Sequence, residues 1–152
     1  MAWTVVRVRG SIHAKHEIDE TLQFLHLTRP NHATVVPENP SIRGMLTRVQ
    51  GYVTWGEADP ETVGLLLKER GETRAGARLA GEAPDARKAK VDLTVLGQKV
   101  AAEGLPGAPE VKPLFRLKAP KGGWRSTKKT FARGGALGYR GAAINDLVRR
   151  MV

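Results

Sequence analysis

The chain has 152 residues, of which 41% are hydrophobic and 5% aromatic, and its formal net charge at pH 7 is +10. This length is typical of one domain, with room for an extension. The absence of cysteine excludes disulfides, thiolate metal sites and thiol nucleophiles. No apolar run reaches the roughly 18 residues that a membrane-spanning helix needs, and the first residues show no secretory signal pattern. These features favour a cytoplasmic protein.

The excess positive charge lies entirely in the last 42 residues. Residues 1–110 hold 14 basic and 14 acidic residues, whereas residues 111–152 hold 11 basic residues and one acid, Asp146. Nine cations and no anion fall between residues 111 and 140. Such a separation of charge favours a polyanionic partner over a solvated basic face. Nucleic acid is the first candidate and an anionic membrane surface the second.

The first third of the chain predicts the order β-α-β-α-β. Strands are predicted at residues 3–9, 33–36 and 52–55 from their content of Val, Thr and aromatic residues. The helical stripes between them are Ile18, Leu22 and Leu25, then Ile42, Met45, Leu46 and Val49. Asn39-Pro40 marks a helix start, because a capping side chain precedes a proline at the first helical position. We therefore predict an α+β fold with a three-stranded sheet and two helices packed on one face.

The rest of the chain predicts less regular structure. Asp59-Pro60 begins a further helix, residues 71–90 are predicted to be a loop or weakly ordered insert, and residues 93–102 another helix. Residues 121–141 carry six glycines and many cations, which bury too little to fold alone. A closing helix has Ile144, Leu147, Val148 and Met151 on one face and can dock back onto the domain.

Three parts of the chain follow from these elements. Residues 1–57 form the predicted core domain, and residues 58–110 add helices and a loop that pack on it. Residues 111–152 form a basic extension with its closing helix. That extension is predicted to be a loop held at both ends, not a free tail.

No arrangement of side chains predicts catalysis. His13 and His16 lie three positions apart, but no cysteine or suitably placed acid completes a metal site. Glu57, Asp59 and Glu61 lie near a predicted helix N-terminus, where acids complement the helix dipole. We therefore predict no catalytic residue, no metal site and no cofactor.

Cations alternate with rings and glycines in the extension. Cations neutralise phosphates, and rings stack on unpaired bases. The candidate RNA-binding residues here are Lys118, Lys121, Trp124, Arg125, Lys128, Lys129, Arg133, Tyr139 and Arg140. For Trp124, Phe131 and Tyr139, base stacking and anchoring of the segment on the domain are equally open. Further candidates, for which plain solvent exposure is an equal alternative, are Arg7, Arg9, Arg43 and Arg48.

Two parts of the chain resemble a known family. Residues 25–32 (LHLTRPNH), 39–46 (NPSIRGML) and 52–56 (YVTWG) are similar to large-subunit ribosomal protein 30. Residues 115–145, which include the motif GGALGYRG, look like the long archaeal form of that family, which is related to the eukaryotic large-subunit protein seven. Matches at both ends in the right order cover most of the chain. The departure lies at residues 71–90, where Ala and Arg replace a more apolar sequence.

The resemblance implies a structural, non-enzymatic protein of the large ribosomal subunit. Its implied partners are 23S rRNA, 5S rRNA nearby and neighbouring large-subunit proteins, with no membrane. By position it implies RNA contacts at the turns Arg9-Gly10-Ser11 and Arg29-Pro30-Asn31, at Arg43 and at the Gly138-Tyr139-Arg140-Gly141 element.

The expected fold is therefore a ferredoxin-like β-α-β-α-β domain with a basic, glycine-rich C-terminal extension that ends in a helix. One alternative is a ferredoxin-like domain that binds a small molecule or has a regulatory role. That alternative has no need for a neutral first part and a strongly basic last part. The other alternative is a nonspecific DNA-compacting protein, which fits the charge but not the resemblance.

Overall fold

The computed structural model describes residues 1–79 and 93–152. Strands β1 (Ala2–Arg7), β2 (His32–Pro37) and β3 (Val53–Glu57) alternate with helices α1 (His16–Phe24) and α2 (Pro40–Arg48). The elements that follow are α3 (Pro60–Arg70), α4 (Leu93–Glu103), β4 (Phe115–Arg116), β5 (Ser126–Thr130), β6 (Gly135–Tyr139) and α5 (Ala143–Met151). The predicted β-α-β-α-β order is confirmed, and helices α3, α4 and α5 lie where the sequence predicts the later helices and the closing helix.

Two helix starts that look alike in sequence are built differently. At α2, Oδ1 of Asn39 accepts a hydrogen bond from the N–H of Ile42 at 2.9 Å, so the predicted cap is present. At α3, the carboxylate of Asp59 makes no bond to a backbone N–H of the helix. It accepts instead from the hydroxyl of Thr62 at 3.4 Å.

In the residues that the structure describes, the sheet has six strands in the order β4-β2-β1-β3-β6-β5, so the prediction of three strands is wrong. β1 pairs antiparallel with both β2 and β3. β6 pairs parallel with β3 through Thr54 with Gly138 and Trp55 with Tyr139. The three additional strands all come from the extension, which is therefore part of the sheet.

Small residues let the extension enter the sheet. A Cβ on Gly135 would lie 1.9 Å from the carbonyl oxygen of Lys129, so only glycine allows β5 and β6 to approach this closely. Ala136 and Leu137, next along β6, are 2% and 4% exposed. Within the whole chain β6 therefore adds Ala136 and Leu137 to an apolar cluster, while the prediction that residues 121–141 do not fold alone stays a prediction.

Helices cover both faces of the sheet. α1 and α2 pack on the face that carries Trp3 and Val5, as predicted for two helices on one face. Residues of α3, α4 and α5 form a second apolar cluster with Ala2 and Val6 on the opposite face. Every residue of β1 is therefore buried, which the sequence did not predict.

The segment after α3 folds back onto the extension. The N–H of Leu79 donates to the carbonyl of Gly71 at 3.0 Å, and Thr73 forms a β-bridge with Val111. The remainder of the predicted loop, residues 80–90, lies outside the described residues. The three-part division of the chain stays a prediction, although the sheet takes its strands from the first and the last part.

Candidate RNA interface

Three turns meet at one end of the sheet, beyond the end of β1 and the starts of β2 and β3. The N–H of Asn31 donates to the carbonyl of Arg7 at 2.9 Å, and the N–H of Arg9 donates to that of Tyr52 at 3.2 Å. The extension joins this end, because the N–H of Leu117 donates to the carbonyl of Asn31 at 3.2 Å. The two turns implied by the family resemblance, which hold Arg9 and Asn31, therefore lie at the same end of the sheet.

The turn residues offer different groups to a ligand. Arg29 is exposed, whereas Ser11 and Asn31 are half-buried. Asn31 has φ 66°, a left-handed conformation that asparagine tolerates better than most residues. Its Oδ1 is buried and has no hydrogen-bond partner among the described residues. The backbone of Ser11 is held by a turn in which its carbonyl accepts from the N–H of Ala14 at 2.9 Å.

A cluster of cations surrounds His32 at this end of the sheet. Burial lowers the pKa of His32 below its ordinary value, and the positive charges of Arg116, Arg29, Arg7 and Lys112 lower it further. Arg116 is exposed and pairs with His32 across β2 and β4. Neither residue was among the predicted contacts. The signal for Arg116 was its place in the acid-free stretch, but its pairing with His32 needs the fold.

Arg7 is buried, which neither interpretation of it from sequence anticipated. Its side chain is 2% exposed, and its Nη1 donates to the carbonyl of Leu27 at 2.7 Å while Nε donates to that of Arg9 at 2.9 Å. Because helices cover both faces of the sheet, the strand face that carries Arg7 is interior. The arginine therefore ties the loop after α1 to the end of β1, and we leave it out of the proposed interface.

Besides Arg29, the other three arginines predicted in the first part of the chain, Arg9, Arg43 and Arg48, are exposed. The guanidinium of Arg9 lies 5.6 Å from the centre of the Tyr52 ring, and its Nη1 donates to the carbonyl of Gly51 at 3.4 Å. Arg43 and Arg48 lie on the outer surface of α2. All three are accessible to a ligand that covers the α2 side of the sheet.

The extension carries most of its cations on the surface. β5 is an edge strand, and it carries Lys128 and Lys129. Of the cations predicted to bind RNA in the extension, the exposed ones are Lys118, Lys121, Arg125, Lys128, Lys129 and Arg133. Backbone bonds from Lys118 to Met151 and from Lys121 to Arg150, both at 3.0 Å, hold the start of this segment against the end of α5. The predicted cations therefore belong to a segment that is packed against the rest of the fold.

The aromatic residues of the extension divide between the two open interpretations. Trp124 is half-buried and packs against two apolar clusters, so it anchors the segment. Tyr139 is 53% exposed, and its hydroxyl hydrogen-bonds to the carboxylate of Glu57. That bond raises the pKa of the Tyr139 hydroxyl. Phe131 is 37% exposed and lies against the guanidinium of Arg140, 4.9 Å from the ring centre.

Arg140 is half-buried and holds the extension in place. Its Nε donates to the hydroxyl of Thr54 at 2.8 Å, and its Nη2 donates to the carbonyl of Ala136 at 2.7 Å. Burial, followed by the charges of Arg150 and Arg125, lowers the pKa of Arg140 to about 10. The group stays charged at neutral pH, so Arg140 remains a cation inside a positively charged region.

Two features are absent from the residues that the structure describes, a metal-ligand cluster and a membrane-spanning helix. Within 1–79 and 93–152, no group of three or more His, Asp or Glu side chains is placed to hold a metal ion. In the same residues no helix is both long and apolar enough to cross a membrane.

An α+β sheet with a basic end and a basic edge strand is typical of proteins that bind nucleic acid. Residues 3–53 match the family model described as ribosomal protein L30p/L7e. Similar proteins named large ribosomal subunit protein uL30 include that of Methanosphaera stadtmanae, 39% identical over 151 residues, which are 99% of each chain. That of Methanococcus vannielii is 44% identical over 158 aligned positions that cover all of both chains. That of Korarchaeum cryptofilum is 42% identical over 97% of this chain and 93% of the relative.

The chain therefore belongs to the ribosomal protein L30p/L7e family. It is a structural component of the large ribosomal subunit, in the cytoplasm, and not an enzyme. The relatives are archaeal, as the resemblance of the extension implied.

Proposed function

We propose that the chain binds 23S rRNA, close to 5S rRNA, by neutralising phosphates and by fitting the shape of the folded RNA. Contacts of this kind fix position and orientation, so sequence-specific base reading is minor. The proposal goes beyond family membership, because it names the RNA and the surface.

One observation carries this proposal: the cations of residues 111–140 have almost no carboxylate partners. Of nine, only Lys112 lies within 4 Å of a described carboxylate, that of Glu72 at 3.2 Å. Fixed positive charges without counter-charges raise the local potential and attract a polyanion. The fold supports the same conclusion, because the turns at Arg9 and Asn31 and the start of the extension share one end of the sheet.

The proposed contact surface has three parts. The turns contribute Arg9, Ser11, Arg29 and Asn31, and α2 contributes Arg43 and Arg48. The extension contributes Lys118, Lys121, Arg125, Lys128, Lys129 and Arg133, with Tyr139 as an exposed ring. Trp124 and Arg140 anchor the segment that carries this surface, and Arg140 is charged at neutral pH. Neighbouring large-subunit proteins are the remaining partners in this proposal.

The experiment that tests the proposal measures affinity for isolated 23S and 5S rRNA at several salt concentrations. Affinity for 23S rRNA is expected to fall linearly with log salt, with a slope of about −0.7 to −0.9 for each phosphate contacted. A double variant, K128Q/K129Q, should reduce that slope. The matched control, K68Q/K99Q, removes the same charge from exposed positions on α3 and α4 and should leave the slope unchanged.

Three results would contradict the proposal. Affinity that does not depend on salt would mean that phosphate neutralisation does not drive binding. Equal loss of slope in both double variants would mean that overall charge, and not this surface, decides affinity. A protein that sediments with the large subunit but binds neither isolated rRNA would be held by neighbouring proteins instead.

A further inference from the structure

A cleft of about 340 Å³ lies where β6 meets α5 and the segment before β5. Its lining includes three arginines and two aromatic rings, namely Arg125, Arg140, Arg150, Trp124 and Phe131. Its volume falls at the lower end of the range of roughly 300–1,000 Å³ that small organic ligands occupy in proteins. The composition of the lining therefore combines a place for an anion with a place for a flat ring.

The three arginines of the cleft are uncompensated. None of them lies within 4 Å of a carboxylate among the described residues, although Asp146 also lines the cleft. Burial lowers the pKa of Arg140, and the charges of Arg150 and Arg125 lower it further, so both of these cations act on Arg140. Like charges held together at a partly desolvated site repel, and a bound anion removes that repulsion.

The aromatic rings have fixed positions in the cleft. Phe131 lies against the guanidinium of Arg140, and Arg140 is in turn bonded to Thr54 and Ala136. Trp124 is held by its packing on the apolar clusters. Gly123 and Gly135 line the cleft without side chains that would fill it. The binding surface is therefore formed in the free protein, so little ordering opposes a ligand.

We propose that this cleft binds a single unpaired nucleotide of RNA, with its phosphate at Arg125 and Arg150 and its base against Phe131 and Trp124. This inference rests on the proposed function and names one subsite of it. A bare phosphate explains the arginines but not the rings or the volume. An unstacked nucleotide uses both kinds of group. Its base stacks on an aromatic ring in place of its lost stacking partners, and its phosphate binds the cations.

The test compares two RNA hairpins that are identical except for one bulged nucleotide, with the full-length chain in the same buffer. The bulged hairpin is expected to bind about fivefold tighter or more, since one base stacks on an aromatic ring. The variant R125Q/R150Q is expected to bind both hairpins equally. Both side chains are exposed, so its melting temperature should stay close to that of the original chain.

A matched control is present on the same helix. Arg149 is next to Arg150, is paired with Asp59 and Glu61 at 3.5 and 3.2 Å, and does not line the cleft. The variant R149Q therefore changes the charge of α5 without touching the cleft, and it should keep the preference for the bulge.

Three outcomes would overturn the inference. They are equal binding of the two hairpins by the original chain, a preference that survives in R125Q/R150Q, and displacement of the RNA by micromolar free AMP. The last would make the cleft a small-molecule site. Equal, salt-dependent binding of both hairpins would rule out nucleotide binding in the cleft but would still agree with the proposed function. Failure to bind any RNA would contradict both the nucleotide-binding cleft and the proposed function.

Discussion

Arg140 and Thr54 lie 86 positions apart in the chain and are joined by a hydrogen bond of 2.8 Å, from Nε to the threonine hydroxyl oxygen. The same hydroxyl donates to the carbonyl of Gly138 at 2.8 Å. Thr54 is fully buried in β3, whereas Gly138 and Arg140 belong to the extension. One hydroxyl therefore links the first part of the chain to the basic segment.

Thr54→Val should destabilise the protein, because valine keeps the shape of the side chain but removes both hydrogen bonds. The buried carbonyl of Gly138 and the Nε–H of Arg140 each lose the bond to Thr54, for which we expect about 1–3 kcal/mol of the free energy of unfolding. Thr47→Val is the matched control, since its hydroxyl donates to the carbonyl of Arg43 at 2.9 Å on an exposed surface. Urea denaturation measures both, and equal effects would show that the Thr54 bonds do not secure the extension.

Two glycines should respond to alanine in opposite directions. At Gly135 the new Cβ would lie 1.9 Å from the carbonyl oxygen of Lys129, so β5 must move away from β6. We expect a loss of about 1–3 kcal/mol and faster amide exchange in β5. At Gly44, inside α2, the Cβ would meet nothing within 4 Å. Gly44→Ala should therefore stabilise the protein by about 0.5–1 kcal/mol, because alanine favours the helix. Destabilisation by Gly44→Ala, or none by Gly135→Ala, would contradict the packing described.

Two neighbouring residues of α2 should differ in the cost of truncation. Leu46 is fully buried, so Leu46→Ala should cost about 2–5 kcal/mol. Met45 is half-buried at the rim of the same cluster, so Met45→Ala should cost clearly less. Thermal melts of both variants measure the difference. RNA affinity per folded molecule should be unchanged in each, and a drop in that affinity would place α2's inner face in the binding surface.

The sequence predicted the regular elements well where local signals decide them. The stripe at Ile42, Met45, Leu46 and Val49 gave α2, and Asn39 gave its start, because both depend on residues within one or two turns. β6 escaped prediction because its pairing with β3 joins residues more than 80 positions apart. Four of the ten residues 132–141 are glycine, a composition that is also typical of loops. Only the close approach of β5 explains why residue 135 is glycine.

The candidate site shows the same division between local and long-range information. Net charge located the basic extension, since charge is additive along the sequence. It did not separate Arg7 from Arg9, because Arg7 lies inside β1, where helices cover the sheet, whereas Arg9 lies beyond the end of that strand. It also did not find His32 with Arg116, or Arg150 with Arg140, since these pairs meet only through the fold.

The stability of the protein should decrease as the pH falls below the ordinary His pKa of 6.5, and His32 should be one cause. Burial and the charges of nearby Arg116 and Arg29 lower its pKa in the folded state. The unfolded chain therefore binds a proton at a higher pH than the folded chain does. The stability contributed by neutral His32 is present above 6.5 and is lost as the pH falls from there through the folded pKa.

His32→Asn removes the titrating group and should flatten the dependence of the urea midpoint on pH between 7.5 and 5.5. Raising the salt concentration should weaken the effect in the original chain only in part, because salt screens the arginines but does not change burial. Among the described residues, the side-chain partner of His32 is the hydroxyl of Thr28 at 3.4 Å, and loss of that contact should shift stability equally at both pH values. Parallel pH dependences in the original chain and the variant would show that the pKa of His32 is the same in the folded and the unfolded chain, so that neither burial nor the nearby cations lower it.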